Sequence, residues 1–292
     1  MGRKQSLINM QSFSEDEIRR WQEKLLEILV YFKSFCEENN LRFYLSSGTL
    51  LGAVRHKGFV PWDDDVDVVM PREDYERLYD LWPQKADVSR FSCLRTTKDQ
   101  CVKFPMTVIK SEDTTCVFDH SQDLDISQGI KLDVGHLDGV PGNRIGAMLN
   151  WLLILLLGLF RAQRVPNHAR KSERIIARIL LWLVPTPKMR YKVVLFCEKQ
   201  ITKNKFADCE KVRYLTEPVL RREWYDKTGY LEFEGHMMPA PVGYDGCLKA
   251  KYGDYMSFPP IEKRCPFTKN IVFYDLDTGY LKYKGSKYRT SK

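Results

Sequence analysis

The sequence of 292 residues predicts an α/β or α+β fold, and three observations point to this class. Helical and strand-like segments alternate over the first third of the chain. Several strand-like segments with turns follow in residues 90–140. With 43% hydrophobic and 29% charged residues, the composition excludes a disordered or low-complexity chain and suffices for one large domain or two ordinary ones.

The first predicted element is an amphipathic helix over residues 14–39. Ser14 and Glu17 have the spacing of a capping box, and apolar residues follow at helical intervals. The elements predicted next are a strand at 42–45, a turn at 46–48, a short helix at 49–55, a loop at 56–61, a strand at 66–70 and a helix at 72–82. Among the later strand-like segments, residues 130–134 are the clearest.

An apolar segment over residues 145–160 contains one clearly polar residue, Asn150. A membrane-spanning helix needs about 20 such residues, so this segment is short for a span. A second apolar stretch, residues 175–184, interleaves with basic side chains: Arg161, Arg164, His168, Arg170, Lys171, Arg174 and Arg178. Two interpretations remain open, a basic amphipathic hairpin on an anionic bilayer and a pair of buried core helices.

The net charge is +8, from 46 basic and 38 acidic residues. This excess favours anionic partners such as nucleotides, nucleic acid or acidic lipid headgroups, and does not choose among them. The eight cysteines have neither CxxC nor zinc-finger spacing, which predicts reduced thiols in a cytosolic protein. Residues 1–12 lack an apolar signal core, which argues against secretion.

The chemistry is concentrated in residues 45–75. Asp65 and Asp67 flank Val66 at the start of a predicted strand, where residues i and i+2 project to the same face. Two adjacent carboxylates repel each other unless a cation lies between them, and hard oxygen ligands suit Mg²⁺ or Mn²⁺. Because such ions bridge phosphate oxygens during in-line displacement, the pair predicts a metal and phosphate site.

The turn before this strand contains Ser47, Gly48 and Thr49 and leads into a short helix. Glycine permits close approach of the backbone, and free N–H groups at a helix start bind phosphate. The basic run Arg55–Lys57, which includes His56, adds positive charge close to a diphosphate or triphosphate. This combination is more specific than an isolated Asp-x-Asp pair.

A third carboxylate is expected from another strand, since two-metal sites use one. Asp133 is the first candidate and Asp138 the second, and a surface acid is the other interpretation of either. His136 is a candidate ligand or base, although a buried structural histidine is the favoured interpretation. Lys103 lies in a strand-like run, where it either meets a phosphate or is solvated.

Residues 48–67 resemble the hallmark of the LicD family, which includes the fukutin-related proteins. The hallmark is close to G-T-L-L-G-A-x-R-H-x-G-F-(I/V)-P-W-D-D-D-(I/V)-D, and the chain follows it with almost no departure. Residues 72–75, 132–141 and 248–260 resemble further family blocks in the same order. The resemblance therefore covers most of residues 40–262.

This resemblance implies an α+β, nucleotidyltransferase-like fold related to the polymerase-β core, with a mixed sheet flanked by helices. We expect a catalytic core in residues 1–144, a hydrophobic and basic helical insertion in residues 145–200, and a C-terminal part, residues 201–292, that completes the substrate pocket. The insertion is expected to associate with an anionic membrane surface.

The resemblance also implies a transferase that moves phosphocholine or a polyol phosphate from a CDP-linked donor to a hydroxyl of a glycan. The acceptor would be a cell-surface glycan (lipopolysaccharide, teichoic acid or capsule) or its lipid-linked precursor, at the inner face of the cell membrane, and no nucleic acid is expected. Asp65, Asp67 and Asp133 would hold the metal. The residues assigned to substrates are Ser47, Gly48, Thr49, Arg55, His56, Lys103, Tyr252 and Asp254.

Departures from the family pattern leave the acceptor open. Gly135–His136 replaces a common Phe-Pro, and Cys265–Phe267 stands where histidines are expected. Lys103 and Lys110 compete for the place of a usual lysine. Two other functions remain alternatives: nucleotidyl transfer to RNA or a small molecule, and a catalytically inactive glycan-binding relative, against which the intact Asp65 and Asp67 argue.

Overall fold

A computed structural model describes residues 14–165, 170–264 and 271–288 of the chain, and they form a mixed α+β structure. The helices are α1 (Glu15–Glu38), α2 (Ser47–His56), α3 (Arg72–Lys85), α4 (Arg144–Ala162), α5 (Lys171–Leu183), α6 (Pro187–Ile201) and α7 (Tyr244–Tyr252). The strands are β1 (Tyr44–Leu45), β2 (Asp67–Pro71), β3 (Phe91–Leu94), β4 (Thr107–Ser111), β5 (Thr115–Phe118), β6 (Lys131–Val140), β7 (Lys211–Arg213), β8 (Leu220–Arg221), β9 (Thr228–Phe233), β10 (His236–Pro241) and β11 (Ile271–Asp275). The predicted mixed class is confirmed.

The central sheet has the strand order β1-β2-β6-β4-β3, with β7 paired to β6 and β8 to β7. Within it β2 and β6 are parallel, whereas the other pairs are antiparallel. The parallel register sets Asp67 beside Asp133. Because parallel neighbours need a long crossover, this contact joins residues that are far apart in the sequence.

The predicted helix α1 is confirmed, including its capping box between Ser14 and Glu17. Its buried face lies at helical spacing and packs into the main core, as periodicity predicted. Two of its side chains also bind the backbone of the loop before β2. Trp21 donates to the carbonyl of Asp64 and Gln22 to that of Asp63, each at 2.9 Å, so α1 fixes the loop that precedes the strand.

Strand β2 begins one residue later than predicted, at Asp67, so Asp65 lies in the loop that enters it. Val66 and Val68 are fully buried, as the alternation predicted. They belong to the main core, which also contains apolar residues of α1, α3, β6 and β10. The buried valines hold the adjacent carboxylates in place at the start of the strand.

Residues 144–165 and 170–201 contain three helices, whereas the sequence indicated two apolar stretches. The principal neighbour of α4 is α6 rather than α5. Apolar side chains of α4 and α6 share a separate core, whereas Ala177 is the one buried residue of α5. The sequence analysis missed α6, although Val194, Cys197 and Ile201 recur at helical spacing.

The outer surface of α4, α5 and α6 is strongly apolar. Fourteen large apolar side chains are exposed there: Ile145, Met148, Leu149, Trp151, Leu152, Leu155, Ile175, Ile176, Ile179, Trp182, Leu183, Met189, Leu195 and Phe196. In the described residues, α4 is the one helix long and apolar enough to cross a membrane by length and composition, and 33% of its apolar stretch is buried. The predicted basic His168 lies outside the described residues.

Seven cysteines fall within the described residues, and all seven are free thiols. Four of them, Cys36, Cys116, Cys197 and Cys247, are buried. The expectation of reduced thiols is met for these seven, while the departure noted at Cys265–Phe267 lies outside the described ranges.

Candidate metal and phosphate site

Four carboxylates gather where β2 and β6 begin. The parallel register brings Asp67 and Asp133 together, and Asp65 precedes β2 by two residues. Asp63 shares a side-chain hydrogen bond with Asp65. Asp63, Asp64 and Asp65 also offer carboxylate oxygens that all lie within 4.8 Å of one another. The structure therefore brings the three predicted carboxylates together and adds Asp63, which opens the same acidic run.

Burial of the aspartates and repulsion between their carboxylates determine the pKa values in this cluster. Burial raises the pKa of Asp63 to about 9, and the charges of Asp65 and Asp67 act in the same direction. Burial likewise raises the pKa of Asp65, and that of Asp67 stands well above its usual value. The raised pKa values mean that these carboxyl groups resist being ionised together, and a bound cation would relieve the repulsion.

Two lysines adjoin the carboxylates, and the sequence analysis identified neither. Lys131 donates to Asp133 Oδ2, and despite burial the carboxylates raise the pKa of Lys131. Lys251 on α7 donates to Ser47 Oγ at 2.7 Å and pairs with Glu217 at 3.0 Å. The signal for Lys131 was available, because it lies two residues before Asp133 on the same strand face.

The start of α2 lies against the acidic run. A Cβ on Gly48 would lie 2.5 Å from Asp63 Oδ2, so any side chain there would displace the Asp63 carboxylate. Ser47 has a φ of +51°, which is uncommon for a residue with a side chain. Thr49 is buried, and its Oγ1 accepts a hydrogen bond from the Asp67 backbone at 2.9 Å. Thr49 thus ties α2 to β2, whereas Ser47 adjoins the carboxylates through Lys251.

Of the residues assigned to substrates in the C-terminal part, Tyr252 lies close to the cluster. Its pKa is raised by burial and by the negative charge of Asp67 and Asp63. Asp254 is exposed and accepts a hydrogen bond from Ser257 instead. The structure therefore brings one of these two residues to the carboxylates.

Among the described residues, neither of the two lysines that competed for one place in the pattern forms an ion pair with the cluster, although the charge of Asp133 acts on Lys110. Lys103 occupies the irregular segment between β3 and β4, with a φ of +58°. Lys110 is fully buried and donates to the carbonyl of Ser127 at 2.8 Å, and burial lowers its pKa to about 8. Within the described residues, the cation that contacts a carboxylate of the cluster is Lys131.

Arg55 and His56 lie at the opposite end of α2 from Gly48. The seven residue steps from Gly48 to Arg55 span about 10 Å at roughly 1.5 Å per residue. Arg55 Nη1 donates to the carbonyl of Tyr255 at 2.9 Å, and the His56 ring packs edge-on to Phe258 at 5.8 Å. These two residues therefore belong to a second group of side chains rather than to the carboxylate cluster.

Asp138, the second candidate for the third carboxylate, binds Arg72 and His136. Both of its oxygens accept hydrogen bonds from Arg72 at 2.7 Å, and His136 Nδ1 lies 2.9 Å from its Oδ2. Arg161 contacts His136 Nε2 at 3.0 Å. All four side chains are buried, so this group is structural and the favoured interpretation of His136 is confirmed.

The residues of the cluster fit a hard divalent cation. Asp133 Oδ1 is buried and has no hydrogen-bond partner among the described residues, while its Oδ2 is held by Lys131. Asp67 stands beside it in the register, and Asp63, Asp64 and Asp65 offer carboxylate oxygens within 4.8 Å of one another. Such donor sets are typical of Mg²⁺ and Mn²⁺ sites.

Comparison with known proteins agrees with the resemblance seen in the sequence. Residues 40–126 match the family described as LicD/FKTN/FKRP, nucleotidyltransferase domain. The chain is 28% identical over 273 residues to the lipopolysaccharide cholinephosphotransferase LicD of Haemophilus influenzae. That alignment covers 85% of this chain and 95% of the relative.

Two further relatives are similar over a shorter stretch. Uncharacterised proteins of Rickettsia prowazekii and Rickettsia typhi are each 35% identical over 79 residues. These alignments cover 25% of this chain, and 30% and 26% of the respective relatives.

Proposed function

We propose that this protein is a metal-dependent phosphotransferase that moves a phosphorylated alcohol from a CDP-linked donor to a hydroxyl of lipopolysaccharide or a related cell-surface glycan. Phosphocholine is the favoured group, because the relative aligned over most of the chain is a lipopolysaccharide cholinephosphotransferase. A polyol phosphate is the other candidate. The observation that carries the proposal is the register of Asp67 beside Asp133, with Asp65 and Asp63 adjoining and one carboxylate oxygen unpartnered.

The proposed reaction is a displacement at phosphorus. The acceptor oxygen forms a bond to the phosphorus that carries the alcohol, the bond from that phosphorus to CMP breaks, and the hydroxyl proton passes to a carboxylate of the cluster. A divalent cation held by Asp63, Asp65, Asp67 and Asp133 would neutralise negative charge on the diphosphate. Nothing in this step requires a further reactant.

Lys131 and Lys251 would bind and orient the phosphates from two sides. Lys131 is anchored on Asp133, and Lys251 on Ser47 at the start of α2. Amino groups placed beside a cation site attract the anionic donor and favour the charge that develops on the leaving group. In this proposal Lys131 and Lys251 take the role that the sequence analysis gave to Lys103.

The test is a panel of CDP-choline, CDP-ribitol and CDP-glycerol, each incubated with lipopolysaccharide and Mg²⁺ or Mn²⁺. Asp67→Asn and Asp133→Asn should lower CMP release by about a hundredfold or more, because the cation loses a ligand beside the reacting phosphate. Asp277→Asn, which alters an exposed ion pair with Arg20, is the matched control and should retain activity. Near-wild-type turnover in either cluster variant would refute the mechanism.

Nucleotidyl transfer is the second candidate, favoured by the nucleotidyltransferase domain in the family description. The two reactions differ in the group that reaches the acceptor. With CDP-choline labelled either in the cytidine or in the choline, phosphotransfer moves choline label to the glycan, whereas nucleotidyl transfer moves cytidine label. Absence of CMP release with every donor would instead indicate an inactive relative.

We also propose that α4, α5 and α6 hold the enzyme at the inner face of the cell membrane. The exposed apolar side chains of these helices are accompanied by exposed basic residues: Arg144, Arg170, Lys171, Arg174, Arg178, Lys188 and Lys192. Apolar side chains flanked by basic ones suit an anionic bilayer surface. A peripheral location there would bring the enzyme to lipid-linked acceptors.

A further inference from the structure

We propose that Arg55, Trp62, Phe258 and Arg264, here called the arginine–aromatic patch, bind a negatively charged group of the saccharide acceptor. The inference rests on the proposed function, since it concerns the acceptor of that reaction. It assigns Arg55 to the acceptor rather than to the diphosphate of the donor, and it adds three residues that the sequence did not single out.

Both arginines of the patch lie against one aromatic ring. The guanidinium carbons of Arg55 and Arg264 lie 4.6 and 5.2 Å from the centre of the Phe258 ring. Arg264 also lies 5.4 Å from the Trp62 ring. Phe258 nevertheless remains 53% exposed, so the patch is open to solvent.

Within the described residues, the two arginines of the patch bind backbone carbonyls and form no ion pair with a carboxylate. Arg55 donates to backbone carbonyls of Tyr255 and Ser257, and Arg264 donates to that of Pro259 at 2.7 Å. Two like charges held together in this way favour a bound anion, because the anion relieves their repulsion.

The patch lies within reach of the carboxylate cluster along the chain. Trp62 directly precedes Asp63, and the segment that leaves α7 at Tyr252 leads to Phe258. On the third side, α2 runs from Gly48 at the cluster to Arg55 at the patch, about 10 Å at roughly 1.5 Å per residue. Three segments of the chain thus connect the patch to the cluster, and the length of α2 between them corresponds to a sugar residue or two.

This separation favours the acceptor over the donor. The negative charges of a CDP-linked donor lie on its diphosphate, which must reach the carboxylate cluster to react. The parts of the donor that extend beyond the cluster are the neutral cytidine and the alcohol. Unpaired guanidinium groups at this distance therefore match a phosphate or carboxylate on the acceptor, and the exposed rings offer apolar surfaces for sugar C–H groups.

The experiment measures binding of delipidated lipopolysaccharide saccharide from Haemophilus influenzae to the full-length protein by calorimetry, without donor. Arg264→Gln should bind at least about tenfold more weakly, since a charge-assisted contact is lost. Phe258→Leu should also weaken binding. Arg221→Gln, at an exposed ion pair with Glu223, should bind as the wild type does.

Two modified saccharides identify the anionic group. Dephosphorylated saccharide should bind weakly if phosphate is recognised, and carboxyl-reduced saccharide should bind weakly if an acidic sugar is recognised. Wild-type binding of both forms, or no binding of the intact saccharide, would overturn the inference. Normal binding of the saccharide by Arg264→Gln would also overturn it. So would a loss of CDP-choline affinity as large as the loss of saccharide affinity, or a loss of binding to anionic vesicles alone.

These measurements separate the inference from the proposed function. Saccharide binding that depends on Arg264, without CMP release from any donor, would refute the proposed reaction and leave the patch as a binding site. If transfer depends on Asp67 but the KM for the acceptor does not change in Arg264→Gln, the proposed reaction stands and the proposed binding patch is refuted.

Discussion

At the scale of residues, strand β6 separates two groups of charges by alternation. Asp133 points to the carboxylate cluster, whereas His136 and Asp138 lie on the opposite face of the strand and bind Arg72. The same residue types therefore serve a candidate site on one face and a structural ion pair on the other. Asp133 and Asp138 are five residues apart, so a single strand places them on opposite faces, but the sequence indicated a strand only over residues 130–134 and therefore did not exclude Asp138.

Replacing Asp138 with asparagine tests the structural group. The substitution removes the buried carboxylate of Arg72 and leaves the guanidinium with the more exposed Glu76, so the free energy of unfolding should fall by about 3–5 kcal/mol. Urea denaturation at neutral pH measures the change. Asp277→Asn, at an exposed pair with Arg20, should change stability by no more than about 1 kcal/mol. An equally small effect at Asp138 would contradict the assignment.

The same group predicts how stability depends on pH. Burial and the charge of Arg72 lower the pKa of His136 to about 4, so the folded protein holds it neutral. The unfolded chain, with a histidine pKa of about 6.5, takes up the proton first, so stability should fall as the pH falls from about 6.5 to 4. His136→Gln should flatten this part of the curve. An unchanged slope in urea midpoints would count against the prediction.

Asp138 contributes at lower pH. Burial opposes its ionisation, but the charge of Arg72 lowers its pKa below that of an unfolded aspartate, which is about 3.9. Its stabilising effect is therefore complete above that unfolded value and is lost as the pH falls through the folded one. The stability difference between the wild type and Asp138→Asn should accordingly shrink at acid pH.

At the scale of elements, helix α2 is fixed by the loop and strand that follow it. Its first turn lies against Asp63, and the hydroxyl of Thr49 holds the backbone of β2. The sequence predicted α2 and β2 from local signals, a glycine turn and an apolar alternation. It did not predict that Asp63 occupies the space beside Gly48, because that contact depends on how α1 holds the loop.

A pair of glycine substitutions tests this contact. Gly48→Ala places a Cβ 2.5 Å from Asp63 Oδ2, so the carboxylate must move, and both stability and transfer activity should decrease. We expect a stability loss of about 1–3 kcal/mol, the usual cost of overpacking. Gly158→Ala in α4 meets no atom within 4 Å and should stabilise the protein by about 0.5–1 kcal/mol. Thermal melts and CMP release report both, and unchanged activity in Gly48→Ala would refute the packing argument.

At the scale of the whole molecule, two apolar regions have different functions. The main core lies under the sheet and holds the carboxylate cluster, whereas α4 and α6 share a core of their own. Helix α5 buries little, and Trp182 on it is 77% exposed. Exposed apolar area of this extent marks a surface for a partner or a membrane, and the surrounding basic residues favour an anionic bilayer.

Co-sedimentation with phosphatidylglycerol vesicles tests the membrane proposal. The double variant Ile179→Glu, Trp182→Glu should lose binding, because each change places a negative charge on the apolar face of α5. Leu281→Glu, at an apolar residue that is exposed elsewhere, is the control and should bind normally. Raised salt should weaken wild-type binding. Unchanged sedimentation of the double variant would contradict the proposal. So would a wild-type protein that is dimeric and a double variant that is monomeric, because the apolar face would then be a dimer interface.

The sequence by itself determined the mixed class, the long capped helix α1, the acidic strand start and the resemblance to the LicD family, because these depend on local periodicity, spacing and residue type. Only the tertiary structure decided that Asp133 rather than Asp138 joins Asp67, that Lys131 and Lys251 adjoin the carboxylates, and that α6 rather than α5 covers α4. Each of these contacts joins segments whose distance is set by strand register and helix packing. Register and packing depend on the whole core, so no local pattern encodes them.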